Sequence, residues 1–218
     1  MYLPAQFQGD RAQAAALIHD HPFASLVSTD ESGLPFITHL PLHLELGAPD
    51  VTGQQPFTLL GHVARGNPHW RYLQARPQAV VTFLGPHAYL SPQVYPDLAR
   101  VPTWNYLAVH CTVQATLVEG AEAKNRLLYK LIADHEPDYV KQWRQQDAGY
   151  AQSMLAGIVG FELQVTDLQC KLKLNQHRPE AFTAMQSMYA TGSDDEQALA
   201  RWMEFIAMKD TPEILGER

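Results

Sequence analysis

The chain has 218 residues, 46% of them hydrophobic, with 16 basic residues against 23 acidic ones and a formal net charge of −7. That is enough apolar side chain to bury a core in one domain or in a domain with an appendage, and the 13 glycines and 15 prolines exclude collagen-like and low-complexity classes. The charge has the wrong sign for a protein whose main business is coating nucleic acid or an anionic membrane.

No apolar run of 18 residues is available to span a bilayer, the first ten residues lack the pattern of a signal peptide, and two cysteines are too few for a disulfide framework. A cytoplasmic location is therefore expected. In chain order, Asp10 caps a short helix with Ala14, Leu17 and Ile18 at helical spacing, and Pro22 stops it. Residues 23–29 read as a strand ending at the turn Asp30-Glu31-Ser32-Gly33. Residues 36–46 then alternate, with Leu40, Leu42, Leu44 and Leu46 on one face and Ile37, His39, Pro41, His43 and Glu45 on the other. Further strands are expected over 57–64, 79–84 and 104–118, the last with Leu107, Val109, Cys111, Val113, Ala115 and Leu117 facing one way. Helical patterns follow over 121–134 and 138–157, then a strand over 159–165. Ser193-x-x-Glu196 is a capping box that opens a final helix, paired with one starting near Pro179.

Long strands with one apolar face, short loops and few helices suit an α+β chain built on an antiparallel barrel, with peripheral and C-terminal helices. Barrel closure also removes sticky edges. The boundaries expected are a barrel domain over 1–175, with inserted helices, and a helical appendage over 176–218.

Several chemistries lack their motifs. Gly-x-Gly-x-x-Gly, a phosphate loop ending Gly-Lys-Ser/Thr, Gly-x-Ser-x-Gly and His-Glu-x-x-His do not occur. Among ten histidines, His39 and His43 are the best-looking metal pair, but four residues along a strand separate them by roughly 13 Å, too far for one ion. No metal site is expected.

Three segments carry chemistry. In Ala64-Arg65-Gly66-Asn67-Pro68-His69 a strand ends, Asn67 is a good N-cap and Pro68 suits the first helical position, so a helix N-terminus is exposed beside the cation of Arg65. Free amides, a dipole and an Arg fork are what a phosphate needs, and a structural cap with a surface Arg is the plainer alternative. Trp104-Asn105-Tyr106 places two aromatics on the polar face of the long strand, where Trp104 can lie against a flat ring or pack the core. Cys170-Lys171-Leu172-Lys173 puts both lysines on one face if extended, either as an anion site, as an approach to nucleic acid, or as an edge strand protected by lysines. Cys170 beside Lys171 is either an activated thiol or a bystander, and Cys111 reads as inert core.

Together these segments resemble the PaiB-like FMN-binding split-barrel proteins, described as FMN-binding negative transcriptional regulators. The resemblance runs in order through Met1-Tyr2-x-Pro4-x-x-Phe7, His21-Pro22-Phe23-Ala24, His39-Leu40-Pro41-Leu42, Gly61-His62-x-Ala64-Arg65-Gly66-Asn67-Pro68-His69-Trp70, Gly85-Pro86-His87-Ala88-Tyr89-Leu90-Ser91-Pro92, Val101-Pro102-Thr103-Trp104-Asn105-Tyr106 and Lys171-x-Lys173-Leu174. It implies a split barrel, a homodimer and FMN near the subunit interface. The cofactor-binding candidates are Arg65, Gly66, Asn67, His39, His62, Trp104, Asn105, Lys171 and Lys173. The chain departs from the family pattern at Cys170, where Gly is usual, at Asn175-Gln176-His177, where Ser-Gln-Asn is usual, and at Val94, where Trp is usual.

Three function classes stay open. The first is a flavin-linked transcriptional regulator, acting directly or through a partner. The second is an FMN-dependent oxidoreductase, for which no dedicated acid or base stands out, and the third is a haem-binding split barrel. The acidic segment 179–218 argues against an autonomous DNA-binding module, leaving Lys171, Lys173 and Arg178 or a partner protein for any DNA contact.

Overall fold

The computed structural model describes residues 1–97 and 100–210; the expected appendage therefore extends, over 211–218, outside the described residues. Seven helices are described: α1 Arg11–Asp20, α2 His69–Ala75, α3 Ala121–His135, α4 Tyr139–Arg144, α5 Ala148–Ala156, α6 Phe182–Ala190 and α7 Asp194–Asp210. Seven strands, β1 Phe23–Thr29, β2 Pro35–Pro41, β3 His43–Leu46, β4 Phe57–Ala64, β5 Gln78–Leu90, β6 Thr103–Val118 and β7 Ile158–Lys173, form one sheet in the order β2-β1-β5-β6-β7-β4-β3. The fold is α+β, and the β1–β2, β1–β5, β3–β4 and β4–β7 pairs are antiparallel.

The chain divides into two compact units. A barrel unit comprises Arg11–Phe83 and Val109–Gln169, and a terminal unit comprises Met1–Asp10, Leu84–Ala108 and the chain from Cys170 onward. All seven strands contribute to the barrel unit. Its sheet is open in hydrogen-bonding terms between β2 and β3, yet these two end strands are consecutive in the chain with only Leu42 between them. The expected single strand over 36–46 is thus two strands that change partners at one corner. There the Leu42 N–H donates to Pro22 O at 3.0 Å, and the side chain is buried. Facing it is Gly61 of β4, where a Cβ would lie 2.4 Å from Leu42 Cδ2, so glycine is what lets the corner pack. Leu26, Leu59, Val81, Val113, Phe161 and Leu163 are buried in this unit, in the alternating pattern the sequence implies, each contributing about 1.5–3 kcal/mol.

Four other expectations are corrected. The strand expected over 79–84 continues to Leu90, because burial slips by one residue at Gly85 and Pro86, both buried, and the alternation resumes in the opposite phase. Such a bulge is where a strand tolerates Gly and Pro. The helical pattern over 138–157 is two helices, since Asp147 Oδ1 accepts the Tyr150 N–H at 3.0 Å and starts α5 anew. The strand expected over 159–165 runs on to Lys173. Cys170–Lys173 is no solvated edge: Gln8 bridges to Lys171, and the Gly9 N–H donates to Cys170 O at 2.9 Å.

In the terminal unit, α6 and α7 bury Met185, Tyr189, Leu199, Trp202 and Met203. The capping box forms as expected: the Ser193 N–H donates to Glu196 Oε2 at 2.7 Å and the Glu196 N–H to Ser193 Oγ at 3.4 Å.

Candidate functional site

The nine sequence-derived candidates fall into two groups, one in each unit. His39, His62, Arg65, Gly66 and Asn67 belong to the barrel unit. Where β4 ends, the Arg65 N–H donates to Gly157 O at 2.8 Å, and its guanidinium donates through Nε to Ala156 O at 2.8 Å and through Nη2 to Ile158 O at 3.4 Å. Ala156 and Gly157 carry the free carbonyls at the C-terminal end of α5, where the helix dipole favours a cation, and Ile158 begins β7. Lys124 of α3 reaches the same junction, its Nζ donating to Leu155 O at 3.1 Å and Ile158 O at 3.0 Å. Burial, then the neighbouring Arg65 charge, holds the Lys124 ammonium below its usual range. Both cations line a cavity of about 270 Å³ together with Trp70, Leu117, Glu119 and Val159.

A Cβ on Gly66 would meet only open space, so the turn is open at this residue. Asn67 acts as the expected cap, its Oδ1 accepting the His69 N–H at 3.0 Å, which takes one helix amide out of reach of a ligand. Its Nδ2 donates to Thr38 Oγ1 at 3.2 Å, and His69 Nδ1 lies 2.7 Å from the same hydroxyl. His69 is fully buried, with Phe36 edge-on at 5.2 Å, and its Nε2 has no partner among the described residues. Burial pushes its imidazole down to about 4. His62 on β4 shows the same features more weakly: Nδ1 is buried without a partner among the described residues, and burial lowers its pKa. His39 lies on the opposite face of β2, within 3.0 Å of Ser25 Oγ and stacked 6.5 Å from Phe23.

Trp104, Asn105, Lys171 and Lys173 belong to the terminal unit. Asn105 is buried and committed, donating from Nδ2 to Met185 Sδ at 3.1 Å and accepting from Asn175 Nδ2 at 3.0 Å. Asn175 has φ 54°, a left-handed backbone that Asn tolerates. Lys171 Nζ donates to Tyr2 O at 3.0 Å, and Lys173 Nζ donates to Thr103 Oγ1 at 2.7 Å and to Trp104 O. Trp104 remains 53% exposed. Cys170 is no activated thiol: burial, then the Asp10 charge, raises it to about 12. A Cβ at Gly9 would fall 2.7 Å from its sulfur.

Among the described residues no cluster of three or more metal-ligating side chains occurs. Thr38, His69 and Lys124 were not singled out from the sequence. Thr38 carried a signal, being a polar residue on the same face as Leu40 and Leu42. Lys124 carried none, because its partners lie 31 and 34 residues away.

The residues fit an anionic, hydrogen-bonding ligand. A cation stands at an open glycine turn beside the ammonium of Lys124, and His62 and His69 in the same ten residues hold buried ring nitrogens without partners among the described residues, each a cost in stability.

Comparison with known proteins identifies the family and the fold. Residues 1–167 match the family described as "Putative FMN-binding domain". Protease synthase and sporulation protein PAI 2 of Bacillus subtilis is 36% identical over 182 residues, covering 83% of this chain and 84% of that protein. Two solved structures share the fold at low identity. The FAD and heme binding protein of Mycobacterium smegmatis has a TM-score of 0.58 at 17% identity, over 75% of this chain and 71% of that one. The flavocytochrome Anf3 of Azotobacter vinelandii has a TM-score of 0.56 at 16% identity, over 75% and 67%. Motif order, sheet topology and these matches agree: the chain belongs to the PaiB-like FMN-binding split-barrel family.

Proposed function

We propose that the protein binds FMN as a homodimer and acts as a flavin-linked negative regulator of transcription. The observation that carries the flavin reading is the segment 61–70, where Arg65 stands at an open turn and His62 holds a ring nitrogen without a partner among the described residues. In this reading Arg65 takes the phosphate, Lys124 adds positive charge at the same cavity, and the half-buried His62 imidazole meets a polar atom of the ligand. Bound FMN would supply one- and two-electron chemistry, while the protein binds it, orients it and holds water away.

Regulation is preferred over a free-standing enzyme for two reasons. The Bacillus relative is named for protease synthesis and sporulation, which are cellular programmes rather than a reaction. No residue of the segment is an evident acid or base: burial lowers both imidazoles, which makes each a weaker base, and seals His69 from any substrate. A net charge of −7 and an acidic first turn of α7, Asp194, Asp195 and Glu196, favour action through a partner protein over direct DNA contact.

Support for the dimer comes from the outer face of β2, β1 and β5 in the barrel unit. Phe23 pairs with Pro41, and Val27 pairs with both Ile37 and Val80, so an apolar band crosses three strands, with Phe23 67% and Ile37 53% exposed.

Titrating FMN and riboflavin into parent and Arg65→Ala protein tests the reading. Loss of one charge-assisted hydrogen bond to a desolvated phosphate weakens FMN by about tenfold to a hundredfold and leaves riboflavin nearly unchanged. Equal loss for both ligands would show that Arg65 serves the fold, and absence of FMN binding by the parent protein would overturn the flavin assignment.

A further inference from the structure

Trp104, Lys171 and Lys173, cofactor-binding candidates by the family resemblance, belong to the terminal unit and not to the unit that holds Arg65, so assigning the flavin phosphate to Arg65 leaves them without a ligand. The terminal unit's three strand segments, 84–90 of β5, 103–108 of β6 and 170–173 of β7, expose Tyr89 and Trp104, at 49% and 53%. The Trp104 indole has His87 at 6.3 Å, tilted 36°, and Tyr89 at 6.2 Å in an edge contact. Two residues on, and therefore on the same face of β6, stands Tyr106. Its ring centroid is 5.2 Å from Lys171 Nζ and 5.9 Å from Lys173 Nζ.

The charge of this cluster is uncompensated. Lys171 is only 7% exposed, and its bond to Tyr2 O is to a neutral group; Lys173 likewise meets a hydroxyl and a carbonyl. Among the described residues neither lysine has a carboxylate within ion-pair distance, whereas Arg100 of the same unit pairs with Asp97 and Glu180, and Arg178 with Glu180. Two ammonium groups sharing one aromatic ring repel, and burial and Lys171 together depress the Lys173 ammonium. An anion at Lys173 relieves both costs.

Flat rings beside paired cations on a sheet face are a stacking platform for a base with a phosphate attached. We infer that the exposed face of Tyr89, Trp104 and Tyr106, with Lys171 and Lys173, binds a nucleoside monophosphate, its base stacked on Trp104 and its phosphate at Lys173. This ligand is additional to the flavin, and the inference stands on the terminal unit alone.

Calorimetric titration of the full chain with 5′-AMP, adenosine and ribose 5-phosphate tests it, before and after saturation with FMN. AMP binds one to one in both states, with adenosine and ribose 5-phosphate each about tenfold weaker or more, since each lacks one of the two contacts. Trp104→Ala weakens AMP by about tenfold or more, whereas Trp104→Phe retains most of the affinity. Lys173→Gln brings AMP down to the level of adenosine. Should that variant fail to fold, added salt erodes the preference for AMP over adenosine in the parent protein, and Lys173→Arg keeps it. No AMP binding at millimolar concentration, affinity unchanged in Trp104→Ala, or displacement of AMP by FMN would each overturn the inference.

Discussion

His69 is buried to the last atom yet, among the described residues, hydrogen-bonded through one ring nitrogen only. That has a thermodynamic cost with a definite sign. The unfolded chain takes up a proton at this imidazole near 6.5, but the native protein does so only near 4. Between those values the unfolded state binds more protons, so stability declines as pH falls through the window and is unaffected by His69 above it. The full loss is about 3 kcal/mol. Urea unfolding at pH 7.5, 6, 5 and 4 should show the decline, and His69→Gln should flatten it; parallel curves for the two proteins would exclude His69 as the cause. Burial shifts His62 in the same direction. A ligand that hydrogen-bonds the neutral His62 imidazole would be released only as that ring takes up its proton in the native protein, which burial moves below the usual imidazole range.

At the scale of elements, Leu42 and Gly61 are a matched pair. Gly61→Ala would set a Cβ 2.4 Å from Leu42 Cδ2 and 3.1 Å from Phe161 Cε2, in a fully packed corner, and should cost about 1–3 kcal/mol. Adding Leu42→Ala should recover part of that loss, read as a coupling energy in a double-mutant cycle; strict additivity would mean the corner yields elsewhere. The alternation of 36–46 was plain in the sequence, but the break at Leu42 was not, because an inward Leu looks the same whether its neighbours pair with one strand or with two. The slip at Gly85-Pro86 hid the second half of β5 for a related reason: these residues usually end strands, and only burial on both sides of the bulge shows the strand continuing. Helices and caps were legible where they rest on local chemistry, as at Ser193 and Glu196. Arg65 and Asn67 were legible as a motif. That Arg65 would spend its guanidinium on the end of α5 and the start of β7 was not, since those carbonyls lie 91 and 93 residues away.

For the whole molecule, the exposed apolar band on β2, β1 and β5 belongs to a chain of net charge −7, which keeps monomers apart except where apolar surface outweighs repulsion. Sedimentation at micromolar concentration should give a dimer, burying about 2,000 Å² or more in total, and Ile37→Lys should shift it to monomer. A parent protein that sediments as a monomer would refute the assembly, and a variant that stays dimeric would move the interface elsewhere. The pairing of Leu59 with Leu163 has a consequence for biosynthesis. As the chain leaves the ribosome, β3 and β4 can close on each other early, but the far side of β4 stays bare until β7 has been translated. The nascent protein thus carries an open, apolar strand edge while residues 65–157 are made, and the step that completes the barrel falls late in translation, after the three-helix insertion between β6 and β7 has emerged.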